Sequence, residues 1–145
     1  MLNKESDIDM FDFENAVANN LVISTHSSEV LKMIEKYVDS DFNFDNIIKT
    51  PEDIKDKYLW RKANWGTVYP AARVRHYRYM HRADYYFETV FWPPSLVLIA
   101  LSKKFPSAEI NLEYRGTSWG MHGHYKIKAG IVVDHDEYGM EDEYK

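Results

Sequence analysis

Apolar positions along the chain follow two spacings and switch between them at recognisable breaks. Asn20-Leu21-Val22-Ile23-Ser24-Thr25 is rich in β-branched residues and reads as a strand. Val30, Leu31, Ile34 and Val38 then recur at helical spacing over 28–39, with Ser27 or Ser28 as cap and Glu29 favourable in the first turn. Phe42 to Ile48 alternates and predicts an edge strand or extended segment. Thr50-Pro51-Glu52-Asp53 predicts a short helix through Lys57, with Thr50 as cap and Pro51 as first residue. Trp65-Gly66-Thr67 predicts a tight turn or bulge, and Arg73 to Tyr79, which suits strand or helix, is read as irregular structure with a short helix. Tyr85 to Trp92 is dense in aromatic and β-branched residues and predicts a strand, stopped by Pro93-Pro94. A helix to about Lys104 follows, with Leu96, Ile99, Ala100 and Leu101 on its buried face. Glu109 to Tyr114 alternates as a strand, Gly116, Gly120 and Gly123 punctuate a turn region, and Tyr125 to Val133 forms the last strand. Trp60 and Trp92 sit in strongly apolar patterns and are expected in the core.

Two β–α units with extra antiparallel strands predict an α+β fold, a ferredoxin-like split β-α-β sandwich. Its sheet is expected to be mostly antiparallel, with two main helices on one face. The expected divisions are an acidic arm over 1–18, the domain over 19–133 and an acidic, solvated tail over 134–145. A length of 145 residues suits a single core.

Charge refines this picture. The net charge of −5 comes from the last twelve residues, where Asp134, Asp136, Glu137, Glu141, Asp142 and Glu143 face a single Lys145. The rest is balanced at seventeen residues of each sign, out of totals of 18 basic and 23 acidic. Within it, 57–82 carries Lys57, Arg61, Lys62, Arg73, Arg75, Arg78 and Arg82 without one acid, interleaved with Tyr and Trp. Cations among rings suit phosphates and bases. The same alternation also suits a strand with one wet and one buried face. The acidic tail is a candidate docking element, or an occupant of the basic segment when no partner is bound.

No cysteine is present, which removes disulfides, thiolate metal sites and cysteine nucleophiles. The N-terminal residues are acidic where a secretory signal would be basic and then apolar, and the longest apolar run, Leu96 to Leu101, is too short to cross a bilayer. A cytoplasmic protein without membrane contact is expected. Asp39-x-Asp41-x-Asn43-x-Asp45 imitates a calcium loop but has Phe44 where that loop needs Gly and Thr50 where it needs Glu. His122 and His124, two apart on a strand, share a face and are weak metal candidates, so no metal or other cofactor is expected. Gly116-Thr117-Ser118-Trp119-Gly120 lacks the Lys-Ser/Thr of a phosphate loop. Ser24, Thr25 and His26 are adjacent, which is not how a nucleophile meets its base. No catalytic residue is expected. The candidate binding residues are Arg61, Trp65, Arg73, Arg75, Arg78, Arg82 and Trp119, with Asp136, Glu137, Glu141, Asp142 and Glu143 as acidic docking residues.

Asn64-Trp65-Gly66-Thr67, followed by Phe87-Glu88-Thr89 and Trp92-Pro93-Pro94, resembles the YubB-like ferredoxin-like proteins of plasmids and phages. Leu101-Ser102-Lys103-Lys104-Phe105-Pro106, the strand Ile110 to Tyr114 and the opening Asn20 to Ile23 continue the likeness over roughly 18–133. It departs from that pattern at Val68-Tyr69, where Lys-Trp is usual, and in the Arg-rich 70–83. The resemblance implies fold and a mobile-element setting, with no catalytic residues to carry over. The leading expectation is a non-catalytic phage or plasmid accessory protein that binds stoichiometrically to a host protein or protein–nucleic-acid complex. Inhibition of a defence system of the CRISPR or another type would fit. The alternative is a module that binds nucleic acid or a nucleotide signal directly through 57–82.

Overall fold

The computed structural model describes residues 13–118 and 120–139. A short 3-10 turn (Phe13–Asn15) leads into β1 (Ala16–Ser24). Three helices follow, α1 (Ser28–Val38), α2 (Phe44–Ile47) and α3 (Lys57–Trp65), and then the pair β2 (Ala72–Arg78) and β3 (Arg82–Val90). Helix α4 (Ser95–Lys104) connects to β4 (Glu109–Gly116), β5 (His122–Lys128) and β6 (Ile131–Tyr138). The six strands form one antiparallel sheet in the order β2-β3-β1-β4-β5-β6. The fold is α+β. Among the described residues, no helix is long and apolar enough to cross a membrane.

Each element has a local cause. Ser27 caps α1 by accepting from the Val30 amide, and Leu31, Ile34 and Val38 are its buried positions. Asp56 caps α3 in the same way, accepting from the Leu59 amide. The expected short helix from Thr50 through Lys57 is absent, and a helix not anticipated from the sequence starts at Lys57 instead. Thr50 serves elsewhere, its amide donating to the Asp45 carboxylate at 2.7 Å. The expected strand over 42–48 is instead a turn of helix capped by Asn43. Phe42 and Phe44 are both fully buried, as their two-residue spacing would also place them on one face of a strand, but Phe42 takes a positive φ of 46° and the chain turns there into the helix that Asn43 caps.

Those two rings join Trp65, Tyr85 and Phe87 in a cluster with centroids 4.9–6.1 Å apart. Val17, Leu21 and Ile23 of β1, Ile110 and Leu112 of β4, and buried residues of α1 and α4 complete the same core. Burying each large apolar side chain contributes about 1.5–3 kcal/mol. Asn19 is the polar exception on this side of the central strand. Its amide donates to Val17 O, Phe87 O and Thr89 Oγ1.

Three boundaries differ from expectation. Strand β1 begins at Ala16, ahead of 19. The Arg-rich stretch expected to be irregular is strand β2, because its backbone groups from Arg75 to Arg78 find a ladder on Tyr86 to Ala83. The last strand divides into β5 and β6 around Ala129 and Gly130, whose φ values of 51° and 77° make a two-residue turn of the kind that closes hairpins. Residues 134–138 are thus part of the sheet rather than the start of a solvated tail. Residues Glu141, Asp142 and Glu143 lie outside the described residues, as does Trp119.

Candidate binding face of the sheet

Register decides which side chains share the face opposite the core. Ala18, Asn20, Val22 and Ser24 of β1 point there, and their partners follow: Glu88, Tyr86, Asp84 and Arg82 on β3, and Arg115, Glu113, Asn111 and Glu109 on β4. Strand β5 adds His122, His124, Lys126 and Lys128, and β6 adds Asp134, Asp136 and Tyr138. Arg75 and Tyr77 enter from β2, and Arg73 joins them through its ion pair with Glu88 at 3.1 Å.

A trough of about 1180 Å³ runs over this face. Arg73 and Arg75 form one wall, and His122, His124 and Tyr138 the other. The floor is low because Ala18 and Asn20 are short. The Asn20 side-chain oxygen is buried there without a hydrogen-bond partner. Leaving a buried acceptor unpaired costs about 1–3 kcal/mol, which a ligand donor would recover.

Electrostatically the face is balanced. Arg73, Arg75, Arg82, Arg115, Lys126 and Lys128 stand against Asp84, Glu88, Glu109, Glu113, Asp134 and Asp136, and three ion pairs join six of them. Arg82 meets Asp84 at 3.0 Å, Lys126 meets Glu109 at 3.2 Å, and the Arg75 guanidinium lies over the Tyr86 ring at 5.4 Å. The Lys126 and Asn111 contacts lower the Glu109 pKa, the Asn111 hydrogen bond contributing most. Arg115, exposed near the centre, makes no ion pair among the described residues.

His124 Nε2 lies 3.0 Å from Asp134 Oδ2 and its Nδ1 3.9 Å from Asp136 Oδ2. These three residues hold possible metal-ligand atoms within 4.8 Å of one another, and His122 is outside the group. As they stand, a shared proton accounts for the spacing. The hydrogen bond to Asp134 raises the His124 pKa, and the same bond lowers that of Asp134. The raised imidazole loses this tie as pH rises through its folded pKa, and the lowered carboxylate loses it as pH falls through its own. The tie therefore spans the window between them. An NMR titration is expected to place His124 above the ordinary value of about 6.5, and Asp134→Asn to bring it back down.

On the opposite side of the hairpin, the Tyr114 hydroxyl donates to Glu137 at 2.8 Å and lies 3.0 Å from His135 Nε2. Burial, and then the bond to Glu137, push its pKa well above the usual phenol range. Its hydroxyl is committed as a donor to Glu137. Thr25 Oγ1 is likewise occupied, accepting from the Ser27 amide at 3.2 Å.

The basic segment 57–82 does not make one surface, contrary to expectation. Arg61 is buried with its guanidinium 4.7 Å from the Trp65 ring centroid, and its Nε donates to Thr50 Oγ1. Trp65 is fully buried and donates from Nε1 to Ile48 O at 2.7 Å, so neither residue is a ligand platform. Arg78 turns towards α1, where it meets Glu35 at 3.1 Å beside His76 at 2.8 Å. It ties the edge strand to the helix. Lys62 sits over Trp92 at 4.2 Å, and Trp92, expected in the core, is exposed. Arg73, Arg75 and Arg82 alone of the basic candidates reach the open face. Of the acidic candidates, Asp136 lies on that face, while Glu137 holds Tyr114 on the other.

No family model matches the chain, and no curated protein matches it. Among solved structures, the fold is similar to protein Api92 from Yersinia pseudotuberculosis, of family DUF1281. The TM-score is 0.57 at 19% identity over 68% of this chain. That similarity is one of fold. The chain matches 40% of the length of that protein.

Arg115 and Tyr138 were not legible as site residues, since their neighbours come from other strands, and His122 was singled out only as a weak metal candidate. The clue within reach was the alternation in Glu109 to Arg115, which sets Glu113 and Arg115 on the wet side.

Proposed function

We propose that this chain is a non-catalytic binding protein that docks the open face of its sheet onto another protein. The observation carrying this reading is the open sheet face, whose six cations and six carboxylates are interleaved across the strands around the trough. Binding to a phosphate backbone rests on unopposed cations that release counterions. A mixed face with rings and an unpaired amide oxygen instead suits a polar protein surface of matching pattern.

A ferredoxin-like assignment is supported by the order β2-β3-β1-β4 with α1 and α4 in its crossovers, and by the shared core of those two helices. Strands β5 and β6 would extend that unit at one edge. The YubB-like resemblance supports a phage or plasmid accessory protein in the host cytoplasm. Its partner would then be a host protein or protein–nucleic-acid complex, one of a defence or nucleic-acid-processing system. Direct capture of nucleic acid or a nucleotide through 57–82 has less support, because the cations of that segment point to three separate places.

The test is capture from host lysate on the immobilised chain, with and without nuclease, alongside an Arg115→Glu, Tyr86→Ala variant of unchanged melting temperature. Nuclease-resistant capture that the variant loses is expected. Capture that nuclease abolishes would establish the nucleic-acid alternative, and capture retained by the variant would remove the open face from the mechanism.

A further inference from the structure

The two edges of the sheet are complementary to each other. Strand β2 pairs with β3 alone and β6 with β5 alone among the described residues, so each has one side of its ladder open. All eight residues of β6 are exposed, Ile131 and Val133 among them. Unpaired edges invite strand addition, and their charges decide what can be added.

Direction comes first. Six antiparallel strands place β2 and β6 in opposite senses, so two copies in the same orientation meet antiparallel where β6 of one lies beside β2 of the next. Register comes second. Arg75, Tyr86, Asn20, Glu113, His124 and Asp136 form one continuous row across all six strands. Extending that row into a neighbouring copy sets Asp136 opposite Arg75 of the next copy, and Asp134 opposite its Tyr77. Pairing of like edges is penalised: a two-fold contact through β6 brings Asp134, Asp136 and Glu137 against themselves, and one through β2 brings arginines together.

We propose that the chain self-associates head to tail, β6 of one copy adding to β2 of the next through the Asp136–Arg75 row. The contact is heterologous and leaves a complementary edge at each end, so it grows into short oligomers rather than stopping at a dimer. The bulge between Ala72 and Arg75 confines the regular ladder on β2 to its last four residues, which keeps the contact weak and concentration-dependent.

Sedimentation velocity from micromolar to millimolar chain tests this on the intact protein. Wild type is expected to gain mass with concentration. Asp136→Arg and Arg75→Asp, both at exposed strand positions, should each weaken association about tenfold, the swing from an opposed to a like pair across strands. Their mixture, and the double variant carrying both changes, should recover it. A wild type monomeric throughout, a closed dimer that grows no further, or a double variant no better than the singles would each overturn the proposal. Sedimentation reads the pure chain and capture reads a lysate, so either result can fail without the other.

Discussion

Trp65→Ala is expected to lower unfolding free energy by about 3–5 kcal/mol, a large part of what a domain of this size has to lose. The ring is fully buried at 5.3 Å from Phe44 and carries the Arg61 guanidinium on its face. Its Nε1 also satisfies Ile48 O, the carbonyl that follows α2. Alanine would leave a cavity, an unpaired carbonyl and a buried arginine facing empty space. Urea denaturation monitored by circular dichroism reads the loss as a lower midpoint. Trp65→Phe keeps most of the ring while removing the hydrogen bond, and should fall between the two. A wild-type midpoint for Trp65→Ala would mean that the residue is not where the core closes.

Gly123→Val should have the second largest effect. A Cβ at this position would lie 2.4 Å from Asp136 O and 2.5 Å from the Tyr114 hydroxyl. The first neighbour is backbone in the β5–β6 ladder, and the second is held by Glu137 and His135, so neither yields without breaking a contact. Overpacking of this kind costs about 1–3 kcal/mol, here concentrated in one hairpin. Hydrogen exchange should show the amides of β6 losing protection while those of β1 keep theirs. Uniform loss over the whole sheet, or none, would contradict a local effect.

Local signals carried much of the fold. The Val30 to Val38 spacing gave α1 to within a residue, the double proline placed the start of α4, and Glu109 to Tyr114 alternated as β4 does. What failed depended on distant partners. Phe42 and Phe44 share a face at strand spacing and both are buried, yet Asn43 caps a turn of helix there, which the apolar spacing does not show. Arg73 to Arg78 looked irregular because an edge strand with arginines has little apolar rhythm of its own, and it is a strand only because β3 is beside it. Ala129-Gly130 closes a hairpin without the Asn-Gly or Asp-Gly that usually marks one. The binding face was legible only in fragments. Alternating Arg and aromatic residues did signal one wet face at β2, but Arg61, Trp65 and Arg78 were drawn into structural roles by Thr50, Ile48 and Glu35.

The interleaving of charges on the open face also has a kinetic consequence. Fields from neighbouring ions of opposite sign cancel within a few ångströms, so the trough offers little long-range pull to an approaching molecule. Encounter should then proceed at the ordinary rate of about 10⁵–10⁶ M⁻¹s⁻¹, with little dependence on ionic strength. Discrimination between partners would reside in how long each stays, once the polar groups have come into contact.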